Sequence, residues 1–408
     1  MRSILWFCLM VALCTGPLMG DVPWPAETWN EGEDITHSSA QQSNLSGAYY
    51  NATDDYVLAL KQNDLIWKYT YDSGSGTWTT TGPTALPSAG DYEGVTMFDE
   101  ADDSTDGVRI LLMHEGNGGG HNDSTIYYVK DLFGTPSTVR TWRVGCASGC
   151  DMPGEVGNTS GPEGIAFVSN AWLSVLGFVD GSGSPVLGTT AAENGLDGLV
   201  FIGHQVDGFI YVFDLKTDAD DSMNFIGVYD TGSSFDEIAA LEFDNTNGLL
   251  YIFHGAGDNT LEVTDLSSTA GGDADRLFTT LTRTEPADEG SHLNLEGLAV
   301  IPPDMCASQN LCWGEPNEGD IFITCDDCSI AIKWMENLAG DWISLCTPDC
   351  PDILPADMNC DGMTNAADIQ QFVELLVAGG YVCQADMNGD RALDSVDVPE
   401  FVSVLLGS

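Results

Sequence analysis

The sequence has few basic residues. Lys and Arg together number 12, against 63 Asp and Glu, and the formal net charge is −51. Nucleic acids and anionic membrane surfaces are bound through clustered Lys and Arg side chains. The composition therefore excludes nucleic acid as a partner. It also argues against phytate as a substrate, because its phosphates need basic side chains around them.

Long hydrophobic runs are absent beyond the N terminus. Residues 1–20 combine Arg2, an apolar run from Ile4 to Leu13 and small or turn-forming residues, a layout typical of a secretory signal peptide. No later stretch reaches the roughly 18 apolar residues that a membrane-spanning helix needs. We expect the mature chain to have no integral membrane segment and to be secreted, either extracellular or at the cell surface.

Local catalytic signatures are also missing. The sequence has no G-x-S-x-G nucleophile elbow, no H-E-x-x-H zinc motif and no P-loop. Paired carboxylates for glycoside hydrolysis remain compatible with so acidic a chain, since acids are too numerous to choose among. Whether the protein is an enzyme is open at this level.

Cysteines are present as close pairs. Cys8 and Cys14 lie in the signal segment, and the others predict disulfides in an oxidising compartment: Cys146–Cys150, Cys306–Cys312, Cys325–Cys328, Cys346–Cys350 and Cys360–Cys383. The alternative is a zinc site, because the C-x2-C-x17-C-x3-C spacing of four of them resembles zinc-ribbon ligands: Cys325, Cys328, Cys346 and Cys350.

Two twelve-residue acidic loops stand near the C terminus, DMNCDGMTNAAD from Asp357 and DMNGDRALDSVD from Asp386, 29 residues later. A loop of this length can wrap oxygen ligands from positions 1, 3, 5, 7 and 12 around one calcium ion. The first predicted site consists of Asp357, Asn359, Asp361, Asp368 and the Met363 carbonyl. The second consists of Asp386, Asn388, Asp390, Asp397 and the Ala392 carbonyl.

Each loop leads into an amphipathic segment, IQQFVELLV or VPEFVSVLL, with apolar residues at matching positions. Phe372 corresponds to Phe401, and Leu376 to Leu405. This spacing predicts two short helices that bury their apolar faces against each other. Because so small a core is weak, we expect calcium to be a structural cofactor.

Residues 356–408 resemble the dockerin type I family and the dockerin-like modules of secreted bacterial proteins. The resemblance implies docking onto a cohesin partner through loop positions 10 and 11. Here Ala366 and Ala367 replace the usual hydroxyl-rich pair in the first loop, so cohesin is an open question as the protein partner. Arg391 also stands where a Gly is expected in the second loop.

The rest of the chain repeats one pattern five times: a polar entry with a small residue, an apolar strand, and two further strands. The entries are NLSGAYYN, DYEGVTMF, GPEGIAFV, EIAALEFD and NLEGLAVI. Such repeats predict an all-β propeller of five blades, or six if the N-terminal stretch adds one. An antiparallel sandwich is the alternative. We place the propeller at residues 21–345 and a Cys/Pro-rich linker at 346–355.

Residues 44–335 resemble the SdiA-regulated family of secreted or periplasmic propellers, related to proteins described as phytase-like or esterase-like. The resemblance is carried by the ordered SG, EG, EG, AA and EG entries and by segments such as EIAALEFDNTNGLLYIFHGAGDNTLEVTDL. It implies a propeller fold and says little about activity, because propellers host unrelated functions.

Blade geometry predicts a site at one end of the pore. Inner strands begin, and second strands end, at the same face, which places six residues on one rim: Glu93, Glu163, Glu296, His114, His204 and His254. Asp91, Glu237, Asn44 and Asn294 lie one step further out. Carboxylates beside His suit a divalent metal. The alternative is that each Glu caps backbone amides and each His packs between blades.

Three functions fit these features. The first is a secreted calcium-binding protein with a propeller interaction domain and a docking module, in a cell-surface or polysaccharide-associated assembly. The second is a secreted metal-dependent hydrolase of glycosides, esters or phosphates, with its site at the pore. The third is a purely structural envelope protein whose propeller binds another protein.

Overall fold

The computed structural model describes most of the chain between residues 23 and 405. The described ranges are 23–37, 44–88, 90–99, 107–115, 124–146, 152, 161–235, 237–255, 257–271, 276–279, 281–288, 293–302, 318–326, 328–339, 356, 364–366, 368–378, 385 and 397–405.

The propeller has five blades, each an antiparallel sheet of four strands in its core. Blade 1 contains β2 (Leu45–Asn51), β3 (Tyr56–Lys61), β4 (Leu65–Asp72) and β5 (Thr77–Ala85). Blade 2 contains β6 (Tyr92–Asp99), β7 (Arg109–His114), β8 (Thr125–Lys130) and β9 (Ser137–Arg143). Blade 3 contains β10 (Pro162–Ser169), β11 (Gly198–His204), β12 (Phe209–Leu215) and β13 (Met223–Asp230).

Blade 4 contains β14 (Ala240–Asp244), β15 (Leu249–His254), β16 (Thr260–Thr264) and β19 (Thr282–Arg283). Blade 5 contains β20 (Leu295–Ile301), β21 (Glu318–Cys325), β22 (Ile332–Ala339) and β1 (Glu33–Asp34). The sequence prediction of an all-β propeller is confirmed, and the repeated entries coincide with the innermost strand of each blade.

The core is divided among the interfaces between blades. In β11, Leu199 and Phe201 belong to the apolar cluster shared with blade 4, whereas Val200 and Ile202 belong to the cluster shared with blade 2. Alternate side chains of a strand point to opposite faces of its sheet. Because both faces of these strands are buried against neighbouring blades, their sequences are continuous apolar runs. Each blade therefore depends on its neighbours to bury its apolar side chains.

The ring is closed by the N-terminal segment. β1 pairs antiparallel with β22, with Glu33 opposite Trp334 and Asp34 opposite Lys333. The N-terminal stretch thus supplies the outermost strand of blade 5 and adds no sixth blade. With only two paired residues, β1 is too short to show a strand periodicity in the sequence. Its pairing is determined by the free edge of β22.

Blade 3 is extended by residues that follow blade 4 in the chain. β18 (Arg276–Phe278) pairs parallel with β13, and β17 (Ser268–Ala270) pairs with β18. The chain then returns to blade 4 as β19. This excursion ties two neighbouring blades together at their outer edges.

Three α-helices are described: α1 (Asn170–Val175), α2 (Ile369–Ala378) and α3 (Asp397–Leu405). α2 and α3 belong to the C-terminal repeats, and their aromatic rings Phe372 and Phe401 stack with centroids 3.7 Å apart. Two short 3-10 turns complete the helical elements, Val144–Cys146 and Ala191–Glu193. None of the described helices is long and apolar enough to cross a membrane.

One of the predicted disulfides lies within the described residues. Cys325 and Cys328 form a disulfide with Cα atoms 5.5 Å apart. Their sulfurs are thereby withheld from the alternative zinc site. Each of the other four predicted pairs has at least one cysteine outside the described residues.

Candidate cation site at one end of the propeller axis

Three positions recur in every blade at one end of the axis. The entry position precedes the inner strand and is Asn44, Asp91, Gly161, Glu237 or Asn294. The inner position lies two residues later and is Ser46, Glu93, Glu163, Ala239 or Glu296. The exit position directly follows the second strand and is Gln62, Glu115, Gln205, Gly255 or Asp326.

Strand register brings these positions together. Tyr92 pairs with His114, and Pro162 pairs with His204. Four blades then repeat one backbone hydrogen bond, in which the exit residue donates to the entry carbonyl: Gln62 to Asn44 at 3.1 Å, Glu115 to Asp91 at 3.0 Å, Gln205 to Gly161 at 3.0 Å and Asp326 to Asn294 at 3.1 Å. The inner-strand starts and second-strand ends therefore share one face.

A β-bulge turns the inner residue toward the axis. The register shifts between Tyr92 and Gly94, and a corresponding shift occurs at the entries of blades 1, 3 and 5. A bulge re-aims a side chain and locally ends regular pairing. The repeated EG motif thus lies at the bulge, where the regular strand pairing around each glutamate is interrupted.

The glycine of this motif lets the inner strands approach each other. A Cβ on Gly94 would lie 2.3 Å from the Glu163 carbonyl oxygen, and one on Gly297 would lie 2.5 Å from the Ser46 carbonyl oxygen. Both distances are too short for any side chain. The centre of the propeller is therefore narrow, and glutamates from different blades are held close together.

Glu93, Glu163 and Glu296 form what we call the carboxyl ring. All three are buried, with exposed fractions of 4%, 6% and 7%. Burial raises the pKa of Glu163 well above its ordinary value, and the charges of Glu296, Glu93 and Glu237 raise it further. Burial likewise raises the pKa of Glu93 to about 8 and that of Glu237 to about 7.

Few hydrogen-bond donors contact these buried carboxyl groups. Gln62 Nε2 donates to Glu93 Oε1 at 2.9 Å, and Asn294 Nδ2 donates to Glu296 Oε1 at 2.6 Å. Glu296 Oε2 is buried without a hydrogen-bond partner, and the Glu163 carboxyl group makes no hydrogen bond among the described residues. Buried carboxyl groups in this state must hold protons or meet a cation.

Three acids of blade 2 lie close enough to share an ion. Asp91, Glu93 and Glu115 each present an oxygen, and these oxygens all lie within 4.8 Å of one another. Glu93 also lines a cavity of about 10 Å³, whose other lining residues are small or apolar: Gly47, Ala48, Gly94, Val95, Gly164, Ile165, Ala239, Ala240 and Leu241. One acid of the cluster thus borders a small, mostly apolar space between the inner strands.

The three histidines of the predicted rim lie at this same end but make contacts within their own blades. The Asp91 backbone N–H donates to His114 Nε2 at 3.2 Å, and the Val206 N–H donates to His204 Nδ1 at 3.1 Å. A backbone N–H only donates, so these two ring nitrogens use their lone pairs inside the protein.

His254 is engaged at both nitrogens. Nδ1 lies 2.9 Å from the Glu237 carbonyl oxygen and Nε2 lies 3.0 Å from Glu262 Oε2. Both nitrogens are therefore engaged by oxygen atoms of the same blade, and neither is available to a metal. Any ion at this end would be held by oxygen ligands.

Of the predicted outer residues, Asp91 joins the blade 2 acids, while Asn44 and Asn294 serve as amide donors: Asn44 Nδ2 donates to Gln62 Oε1 at 3.0 Å. The sequence patterns did not single out Glu115 or Asp326. The signal that would have found them is the acid or amide that directly follows the second strand in blades 1, 2, 3 and 5.

Of the predicted calcium ligands, Asp368 and Asp397 lie within the described residues. Both are fully buried, and they stand at or beside the starts of α2 and α3. The Asn365 N–H donates to Asp368 Oδ2 at 2.7 Å. The other eight ligands lie outside the described residues: Asp357, Asn359, Asp361, Met363, Asp386, Asn388, Asp390 and Ala392.

No protein-family model matches this sequence, and no curated protein matches it either.

Proposed function

We propose that the protein is an exported binding protein in which the propeller holds a divalent cation at one end of its axis. The observation that carries this proposal is the convergence of Glu93, Glu163 and Glu296, which come from three blades and are buried with few donors. Among the described residues none of these carboxyl groups forms a salt bridge with a base. A cation would neutralise them and allow them to ionise.

The C-terminal repeats would supply a second, structural use of calcium. Residues 29 positions apart share the same burial: Ala356 with Ala385, Asp368 with Asp397, and Phe372 with Phe401. This equivalence supports two similar loops that each end in a buried Asp ligand, as in paired calcium-binding loops. We propose that this dockerin-like module binds two calcium ions and docks the protein onto a protein partner in a cell-surface or polysaccharide-associated assembly.

Metal binding by the full-length mature chain tests the propeller site. The two C-terminal loops are first silenced by Asp368→Asn with Asp397→Asn, and the protein is stripped with a chelator. Calorimetric titration with calcium at pH 8 should then show one remaining ion. Adding Glu163→Gln and Glu296→Gln should weaken that binding by roughly a hundredfold or more, because both charges are lost while the shape is kept.

A matched control removes two charges elsewhere. Asp54→Asn with Glu285→Gln changes two exposed acids that belong to none of the entry, inner and exit positions, and should leave the titration unchanged. If the stripped protein binds no calcium, magnesium or manganese, or if the control weakens binding as much as the ring variant does, the proposal is wrong.

A hydrolase with its site at the pore is the second candidate, favoured by one observation. With a pKa of about 8, Glu93 holds a proton near neutral pH and could act as a general acid beside other carboxyl groups. Turnover of model glycosides, esters or phosphates, lost in Glu93→Gln and kept in the exposed control, would establish this function over simple binding.

A further inference from the structure

Blade 2 differs from the other blades at the axial end. Its entry, inner and exit positions are all acidic, namely Asp91, Glu93 and Glu115. In blade 1 the same positions are neutral and polar: Asn44, Ser46 and Gln62. Blade 2 therefore carries more acidic residues at these three positions than any other blade.

Glu115 reaches from blade 2 into the groove beside blade 3. A Cβ on Gly161, the entry residue of blade 3, would lie 2.4 Å from Glu115 Cγ and 3.1 Å from Glu115 Oε1. Blade 3 has the smallest residue at the position that Glu115 approaches. Glu115 therefore extends the group of blade 2 acids away from the axis, toward the junction with blade 3.

Two further buried carboxyl groups face this cluster. Glu296 is 7% exposed, its Oε2 has no hydrogen-bond partner, and Glu93 is the nearby charge that acts on it most strongly. Glu163 is 6% exposed, its carboxyl group makes no hydrogen bond among the described residues, and that group interacts with both Glu93 and Glu115. Polar groups buried without partners are costly and point to a missing ligand.

The atoms available as metal ligands in this cluster are oxygens. His114, the nearest ring in blade 2, accepts the Asp91 N–H at Nε2, so a neutral ring carries its proton on Nδ1. Carboxylate oxygens within 4.8 Å of one another can bond one ion at the distances of roughly 2.3–2.6 Å that calcium adopts. Zinc prefers nitrogen and sulfur ligands, which this cluster does not offer.

We propose that Asp91, Glu93 and Glu115 form an off-axis seat for one calcium ion at the junction of blades 2 and 3. This inference rests on the proposed function, in that the axial end binds a cation at all, and it adds where the ion lies and which class of cation is bound. Glu163 and Glu296 border the seat and add negative charge from blades 3 and 5.

The test exchanges the blade 2 acids for residues that the other blades carry at the same positions. Asp91→Asn reproduces Asn44 and Asn294, and Glu115→Gln reproduces Gln62 and Gln205, so both changes suit the fold. In the full chain with Asp368→Asn and Asp397→Asn, calcium titration at pH 8 should show roughly a hundredfold loss of affinity for the double variant. Glu115→Gln alone should give a smaller loss, and Asp54→Asn with Glu285→Gln none.

Three results would overturn the seat. If the blade 2 variant keeps full affinity while Glu163→Gln with Glu296→Gln loses it, the ion lies on the axis; the proposed function stands and the seat does not. If the X-ray absorption spectrum of the metal bound to the parent chain shows histidine nitrogen ligands, the oxygen-only ligand set is wrong. If no divalent cation binds the parent chain, both the seat and the proposed function fail.

Discussion

Two buried glutamates in this propeller face opposite surroundings. Glu262 in blade 4 has no exposed surface; its Oε2 meets His254, and Arg283 Nε donates to its Oε1 at 2.6 Å. Glu163 is buried to a similar degree, but the groups around it are other carboxyl groups. Comparing the two residues separates the effect of burial on a carboxyl pKa from the effect of a basic partner.

Burial by itself would raise the pKa of both carboxyl groups. Their hydrogen-bond and charge partners decide whether the pKa is finally lowered or raised. At Glu262 the hydrogen bond and charge of His254, together with the Arg283 guanidinium, outweigh burial and lower its pKa. At Glu163 the neighbouring acids add to burial and the pKa rises. The charge of Glu262 is therefore compensated within blade 4, whereas the carboxyl ring needs protons or a cation from outside.

The largest expected effect comes from making the same substitution at both glutamates. Glu262→Gln should destabilise the protein by about 3 kcal/mol, because it leaves His254 and Arg283 without their buried counter-charge. Glu163→Gln should be neutral or stabilising in chelator at pH 8, because it removes a buried carboxyl group whose ionisation is opposed by burial and by neighbouring acids. Urea denaturation of both variants measures the difference, and two changes of the same sign and size would remove the distinction between the sites.

The pH dependence of stability sharpens the comparison. A carboxyl group whose folded pKa is raised stabilises the fold below its unfolded pKa, near 4.5, and this contribution is lost as pH rises through the folded pKa, about 8 for Glu93. Without divalent cations the protein should therefore lose on the order of a few kcal/mol between pH 5 and about pH 8.

Calcium and charge removal should both reduce that loss. Added calcium competes with protons for the carboxylates, so stability at pH 8 should recover, and Glu163→Gln with Glu296→Gln should flatten the profile. Thermal unfolding across this pH range, with and without calcium, provides the measurement. A profile that is flat in the chelated wild type would contradict the raised pKa values.

The smallest expected effect concerns the amide that supports Glu93. Gln62→Leu removes the donor at 2.9 Å and should cost about 1 kcal/mol at pH 8, where the carboxylate form is needed. At pH 5 the same change should cost less, because a protonated Glu93 depends less on that donor. Equal costs at the two pH values would show that Gln62 acts through packing.

Much of the fold follows from local patterns. Each EG or SG entry marks an inner strand because its glycine permits the close approach of neighbouring strands, and apolar runs mark strands with both faces covered. Strand order alone places Glu93, Glu163 and Glu296 on one face of the propeller. These features repeat along the chain and need no knowledge of distant contacts.

Other features depend on contacts that local patterns do not contain. The histidines recur at one position, yet their nitrogens are engaged by groups such as the Val206 N–H and Glu262. Glu115 follows a strand like many surface acids, and its place beside Gly161 comes from the packing of blade 2 on blade 3. Closure by β1 likewise depends on the open edge of β22.

Crystals of the full chain grown with calcium at pH 8, measured at a wavelength where calcium scatters anomalously, test the central claim most directly. We predict an anomalous peak bonded at roughly 2.4 Å to oxygens of Asp91, Glu93 and Glu115. An axial end that holds only water in those crystals, with well-defined Glu93, Glu163 and Glu296 side chains, would contradict the cation site.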